Sequence, residues 1–439
     1  PIYSSPVTET PDNIKLPHGW NLVWHQLETL KALRNPKVDV VINTAMTGDG
    51  KSLAAFLSTL QDDKNAIALY PTNELARDQE TQIQNYINLF QPELEPRVNR
   101  LSSAELELYA EQENLKKGSA IASRSKNSEI LITNPDLFHY LHRQAYLTPY
   151  DNPDKIWNRI DKNFDLFIFD EFHVFSAPQV ASVINTMLLI RNTNRNKKFL
   201  FLSATPDEQL IEKLEKAQFT YQHIDPIQAK KYQFPQTTTE REKLQSQYWR
   251  QVSREISLQF IPLESAFSAS EIWLKENKEL ILSHFIIPAT SVNQEEVIPP
   301  NPSLKGGDQR FSKMKGAVIL NSIAAVKRLV PIFQELFHSY GLTVGENTGL
   351  SSQQTKLASL DTDLVFGTST IDIGVDFKIN FLIYESSDVG NFIQRLGRLG
   401  RHNGFQRNGE TIPFHQFTAY ALVPKFLVER LFETTSPPL

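Results

Sequence analysis

The run Ala45-Met46-Thr47-Gly48-Asp49-Gly50-Lys51-Ser52 follows the apolar Val40-Val41-Ile42 and precedes Leu53-Ala54-Ala55-Phe56-Leu57. A glycine-rich turn between strand and helix points backbone N–H groups inward, and the helix start adds the positive end of its dipole. Together they cradle phosphate. Thr47, Gly48 and Gly50 would line the cradle, Lys51 would reach the β- and γ-phosphates, and the Ser52 hydroxyl would hold Mg²⁺. A Gly-x-Gly-Lys-Ser turn by itself is common in loops; the strand before it and the helix after it supply the context that the chemistry requires. Ala45 stands where a glycine is usual. Asp49 is expected to bring a carboxylate close to the phosphates, which leaves the affinity for nucleotide open.

Asp170-Glu171-Phe172-His173 follows Leu166-Phe167-Ile168-Phe169. In open parallel sheets ligands bind at the carboxyl ends of strands. Asp170 there can hold Mg²⁺ and Glu171 can polarise an attacking water, which is most of what phosphoryl transfer asks of a protein. The same pair alone would be a solvated acidic strand end. Ser203-Ala204-Thr205-Pro206 closes the next apolar run, Phe199–Leu202; its hydroxyls could bond the carboxylates, or simply cap a helix. Gln394-Arg395-Leu396-Gly397-Arg398-Leu399-Gly400-Arg401 is a basic run that its glycines keep from being one solvated helix face. Arginine suits phosphate because its planar fork donates bidentately and stays charged. Arg398 and Arg401 are therefore candidate arginine fingers, with Gln394 able to orient water or touch phosphate.

These groups need a scaffold. Strands are expected at Val38–Asn43, Ala66–Tyr70, Glu129–Thr133, Leu166–Asp170 and Lys198–Ser203, with helices at Ser52–Gln61, Asn73–Asn88 and Ala177–Arg191. That alternation predicts a parallel sheet flanked by helices. It returns with strands at Gly316–Leu320, Leu364–Gly367, Phe381–Glu385 and Phe417–Leu422 and a helix at Ala324–Tyr340. Between Tyr221 and Lys315 the rhythm is lost, apart from one strand and one helix (Ser268–Leu282); Ile298–Gly307 reads as an exposed linker. A loop-rich insertion is also expected over Gln91–Asn127. The expected organisation is an N-terminal extension (1–17), a first α/β lobe (18–225), an insertion with linker (226–315) and a second lobe (316–439).

With 439 residues, 40% of them hydrophobic, the chain can bury two or three cores. A net charge of −5 excludes a globally basic nucleic-acid binder, so any such groove is a local patch. The absence of cysteine excludes disulfides, thiolate zinc sites and a cysteine nucleophile. No apolar run approaches the roughly 20 residues that span a bilayer, and Pro1–Pro6 has no signal-peptide pattern. A cytoplasmic protein with no membrane partner is the expectation.

Taken in order, the motifs resemble those of the superfamily-two helicases, the DEAD/DEAH-box relatives. Ala45–Ser52 resembles motif I, Asp170–His173 motif II, Ser203–Thr205 motif III and Gln394–Arg401 motif VI. Pro71-Thr72-Asn73-Glu74-Leu75-Ala76 resembles motif Ia, Thr133-Asn134-Pro135-Asp136 motif Ib, Ala317–Ser322 motif IV and Thr368–Asp376 motif V. Gln26 stands where the family places its adenine-reading glutamine. The resemblance implies an α/β fold of two tandem RecA-like parallel-sheet lobes. ATP and Mg²⁺ would bind the first, with Asp376 also near the nucleotide, and Arg398 and Arg401 would act on it from the second. Pro71, Thr72, Thr133, Asn321 and Thr368 would hold the sugar–phosphate backbone, through contacts that position without reading sequence.

The form Asp-Glu-x-His with Ser-Ala-Thr-Pro, together with Leu131–Phe138 and Asp170–Phe175, is similar to the helicase of type I CRISPR interference. That resemblance implies an ATP-dependent motor on single-stranded DNA that unwinds target duplex. Its partners would be a guide-RNA surveillance complex and a nuclease on a separate chain. None of the ten histidines is followed by Asp, so the His-Asp pair of a fused nuclease is not found and no nuclease activity is expected. His139 and His142 read as a helix surface. Two alternatives stay open: a general DExH RNA or DNA helicase, and a nucleotide-gated clamp that binds a protein without unwinding.

Overall fold

Runs of Val, Ile, Phe and Ala without polar alternation specify strands covered on both faces, and both halves of the chain are built on such runs. The computed structural model describes residues 1–102, 111–112, 123, 126–136, 162–193, 196–204, 208–264, 268–286, 314–372, 377–386, 389–407 and 409–432. They form two units, one running from Pro1 to Ser253, the other from Arg254 through Asp372 and from Phe377 onward.

In the first unit the strands are β1 (Ile2–Ser4), β2 (Val40–Asn43), β3 (Ala66–Leu69), β4 (Val98–Arg100), β5 (Ile130–Thr133), β6 (Leu166–Asp170), β7 (Lys198–Leu202), β8 (Tyr221–Ile224), β9 (Tyr232–Gln233) and β10 (Arg250–Ser253). Seven make one sheet in the order β4-β5-β3-β6-β7-β2-β8, parallel throughout. The two-residue period sorts its side chains. Ile42, Ile67, Leu131, Phe167, Phe169, Phe199 and Phe201 enter one core; Val41, Ala68, Ile132, Ile168 and Leu200 enter the other. Each fully buried Phe or Ile contributes about 1.5–3 kcal/mol, so every strand is held from two sides. Because β7 lies between β6 and β2, the ends of these three strands share one edge: Leu202 faces both Asp170 and Asn43. β1, β9 and β10 form a separate antiparallel sheet with β1 in the middle.

The second unit has β11 (Ser257–Leu263), β12 (Gly316–Ile319), β13 (Val344–Asn347), β14 (Leu364–Gly367), β15 (Phe381–Glu385), β16 (Gly404–Arg407), β17 (Glu410–Pro413) and β18 (Thr418–Pro424). Six make a sheet of order β11-β18-β15-β12-β14-β13, again parallel, with helix Ile323–His338 burying Val326, Leu329 and Phe333 against it. β16 and β17 form a hairpin. Two RecA-like parallel-sheet lobes result, as expected.

The segment 226–315 is not set apart over its described residues. β9 and β10 pair with β1 in the first unit, and β11 is an edge strand of the second sheet. Helices Ala269–Glu276 and Lys278–Ile286 stand where one helix was expected, and Leu274, Ile281 and Phe285 enter the second core. Residues 1–17 likewise contribute β1, with Tyr3 buried. The expected linker Ile298–Gly307 and helix face of His139 and His142 lie outside the described residues.

Candidate nucleotide site

Helix Lys51–Asp62 starts directly after a loop in which Gly48 and Gly50 adopt φ of +88° and +75°. Those values are open to glycine without the steric cost that a Cβ brings. At Gly50 a Cβ would also meet the Gln26 amide at 2.7 Å. Lys51 is buried, its Nζ donating to the Ala45 carbonyl at 2.9 Å, so the ammonium lies folded across the mouth of the loop. Ser52 occupies the first helical turn, and Thr47 and Gly48 form the turn at the loop's tip.

A polar network lies beneath the loop. The Asn43 side chain accepts from the Ala45 N–H at 2.9 Å and donates to His25 Nδ1 at 3.0 Å. That leaves His25 Nε2 as the protonated nitrogen, donating to the Asp49 carbonyl at 2.8 Å. Gln26 donates to the Gly50 carbonyl at 3.1 Å and accepts from the Val23 N–H at 3.0 Å. Both ends of its carboxamide thus serve protein, and Gln26 supports the loop where an adenine contact was expected.

Asp49 turns away from the place where phosphate would sit, which corrects the expectation of a carboxylate beside it. Its carboxylate is fully buried and accepts from Ser4 and Tyr232, each at 2.8 Å, and from Arg250 at 2.5 Å. Burial alone would raise its pKa, but His25 and Arg250 outweigh that and hold it down at about 2.

Asp170 ends β6 with its side chain buried. Burial, and then the neighbouring Glu171 charge, push its pKa up against the opposing pull of Lys51. A divalent cation supplies the missing positive charge, and a carboxylate with the Ser52 hydroxyl is a hard oxygen donor set of the kind Mg²⁺ prefers. The residues fit the metal. Glu171 adopts φ +48°, a conformation that costs a non-glycine residue on the order of 1 kcal/mol or more. The next residue holds it there: Phe172 is buried with its ring edge-on to Phe201 at 4.8 Å. His173 Nδ1 lies 3.0 Å from the Ser203 hydroxyl and 3.5 Å from the Glu171 carboxylate. Ser203 therefore bonds the histidine; the carboxylates were the expected partners.

The expected backbone-binding residues separate into two groups. Thr72 caps helix Asn73–Phe90, accepting from the Leu75 N–H at 3.2 Å; Pro71 beside it is half-buried. Asn73 accepts from the Asn134 amide at 3.0 Å, which joins motifs Ia and Ib. Thr133, by contrast, is buried and donates to the Leu101 carbonyl at 2.9 Å. It belongs to the core, and the expected contact is withdrawn from it. In the second unit Asn321 is exposed, its backbone N–H donating to Glu385, while Thr368 is buried and its carbonyl caps the following turn.

Helix Val389–Leu396 stops at Gly397, where a Cβ would lie 2.9 Å from the Ile393 carbonyl. Gln394 lies in its last turn, and Arg398 and Arg401 follow in turns. Arg395 is buried and donates to the Glu385 carbonyl, whereas Arg401 reaches back to the Gly397 carbonyl. Asp376 lies outside the described residues. The loop-supporting partners Ser4, His25, Tyr232 and Arg250 were missed by the sequence reading, since no motif contains them.

The family model for the DEAD/DEAH box helicase matches residues 24–214. No curated protein matches the chain. Several solved structures share its fold. The DUF1998 helicase MrfA bound to DNA and AMPPNP superposes with a TM-score of 0.62 at 17% identity, over 99% of this chain and 55% of that one. Mss116p bound to ssRNA and AMP-PNP gives 0.60 at 16%, over 95% and 73%. S. cerevisiae Dbp5 bound to RNA and ADP BeF3 gives 0.55 at 14%, over 94% and 88%. The chain spans about half the length of the MrfA chain. No helix among the described residues is long and apolar enough to cross a membrane. Residues 24–214 thus match the model of the DEAD/DEAH box helicases, a family whose cofactors are ATP and Mg²⁺.

Proposed function

We propose that the chain is a nucleic-acid-stimulated ATPase of the helicase type, which moves along single-stranded DNA and unwinds duplex. The observation that carries this is one sheet edge. The loop after β2, the carboxylate pair after β6 and Ser203 after β7 meet on three neighbouring strands.

In this reading the loop and Lys51 bind the triphosphate, and Ser52 and Asp170 hold Mg²⁺, which neutralises the charge that builds on the phosphates. Glu171 takes the proton of the attacking water, and His173 orients Glu171 while reporting to Ser203. Arg398 and Arg401 act as arginine fingers, with Gln394 beside them, and Asp376 completes the nucleotide contacts. Pro71, Thr72 and Asn321 are proposed to face the nucleic-acid backbone; Thr368, buried like Thr133, is proposed to support that surface from beneath. The similarity of Asp170–Phe175 and Leu131–Phe138 to the type I CRISPR helicase supports recruitment by a guide-RNA surveillance complex, with cleavage left to another chain.

A second reading, a general DExH helicase on RNA or DNA, is favoured by the neighbours' ligands, since MrfA holds DNA and Mss116p holds ssRNA. Strand-displacement assays on matched DNA and RNA duplexes separate the two: unwinding of DNA alone supports the first, and equal unwinding of RNA overturns it.

A further inference from the structure

Asp49 is a fully buried charge that the chemistry above does not use. It sits in the middle of the phosphate loop, two residues before Lys51, and besides His25, whose Nε2 lies 3.3 Å from the carboxylate, its partners come from all three strands of the small sheet. Ser4 lies on β1, Tyr232 on β9 and Arg250 on β10, and in the sheet register Ser4 is directly opposite both of the others. One cross-strand row thus converges on one carboxylate. Tyr232 does two jobs, donating to Asp49 and accepting from the Met46 N–H at 2.9 Å. Arg250 also donates to the Asp49 backbone carbonyl at 2.5 Å and packs against Gly50.

A carboxylate without partners in such a place is strongly disfavoured, and it gains by moving to where water reaches it. We infer that Asp49 is a positioning residue: clasped by Ser4, Tyr232 and Arg250, it holds the loop open to phosphate, and unclasped it turns its negative charge toward the nucleotide and repels it. The small sheet is then a condition for nucleotide binding, and β10, the last strand before the chain enters the second unit, carries the arginine that keeps the clasp closed. This rests on the reading of the loop as an ATP site.

The test is a mutant cycle read by binding of a fluorescent ATP analogue to the full chain. Arg250→Ala, at a half-exposed side chain, should weaken binding about tenfold, the usual effect of losing a hydrogen bond to a charged group. Adding Asp49→Asn should recover most of that loss, because the freed side chain no longer repels phosphate. Tyr232→Phe, alone and with Asp49→Asn, provides the same cycle should Arg250→Ala fail to fold. Wild-type affinity in Arg250→Ala, or a double variant no tighter than the single, would overturn the inference. So would a recovery of affinity that only mirrors recovery of the denaturant midpoint, since relief of a buried unpaired charge restores stability as well. Lys51→Ala is the separate control. If it binds the analogue as tightly as wild type, the ATP-site reading falls, whatever the cycle shows.

Discussion

His173 and Ser203 are joined by a 3.0 Å hydrogen bond between adjacent strand ends, and the same imidazole nitrogen lies 3.5 Å from the Glu171 carboxylate. Glu171, the proposed base, is thus tied through one ring to the strand beside the glycine-rich loop. Ser203→Ala removes the ring's hydrogen-bond partner on β7's end. It is expected to lower kcat about three- to tenfold, the effect of about 1 kcal/mol of lost hydrogen bonding, with little change in KM. A KM effect larger than the kcat effect would contradict the positioning role.

Glu171→Gln keeps the shape of the side chain and removes its basicity. Nucleotide binding should stay within a few-fold of wild type, while hydrolysis falls by roughly 10²–10⁴, the range for a lost general base. Binding by analogue fluorescence and turnover by phosphate release check the two halves separately; substantial remaining turnover would reassign the base.

Phe172→Ala tests the packing that fixes Glu171 at φ +48°. Loss of a buried aromatic side chain costs about 3–5 kcal/mol, read as a lower denaturant midpoint. Because the strained residue next to it also relaxes, kcat should fall even where the variant remains folded. A variant with lower stability and unchanged kcat would separate the ring from the site.

Asp49 gives a pH signature. Its folded pKa of about 2 lies below the ordinary carboxylate value of 3.8. The stabilisation is therefore present in full above pH 3.8 and lost as pH falls through 2. At about 1.4 kcal/mol per unit this is on the order of 2 kcal/mol. The stability gap between wild type and Asp49→Asn should be flat from pH 8 to about 5 and close on further acidification, followed by urea unfolding. A gap that widened in acid would reverse the sign.

What the sequence made legible was local. The glycine-rich loop, the carboxylate pair and the arginine run stand out as candidates because adjacent residues suit one chemistry, and β2, β6, β7, β12 and β15 because parallel strands are continuous apolar runs. Asp49 was misread because its partners Ser4, Tyr232 and Arg250 lie 45, 183 and 201 residues away. Thr133 was misread because burial depends on β4, whose three residues show no apolar run. The insertion dissolved because β9, β10 and β11 are short or edge strands, where alternation is weak and pairing decides.

ATP hydrolysis at the β2–β6 sheet edge, coupled to nucleic acid, is what we propose for this chain. The most direct measurement is the steady-state ATPase rate of wild type and Lys51→Ala, without polynucleotide, with single-stranded DNA and with single-stranded RNA. Slow turnover that single-stranded DNA raises severalfold is expected, with a Lys51→Ala rate at background in every condition. Turnover indifferent to either polynucleotide, or equal rates in the two proteins, would contradict it.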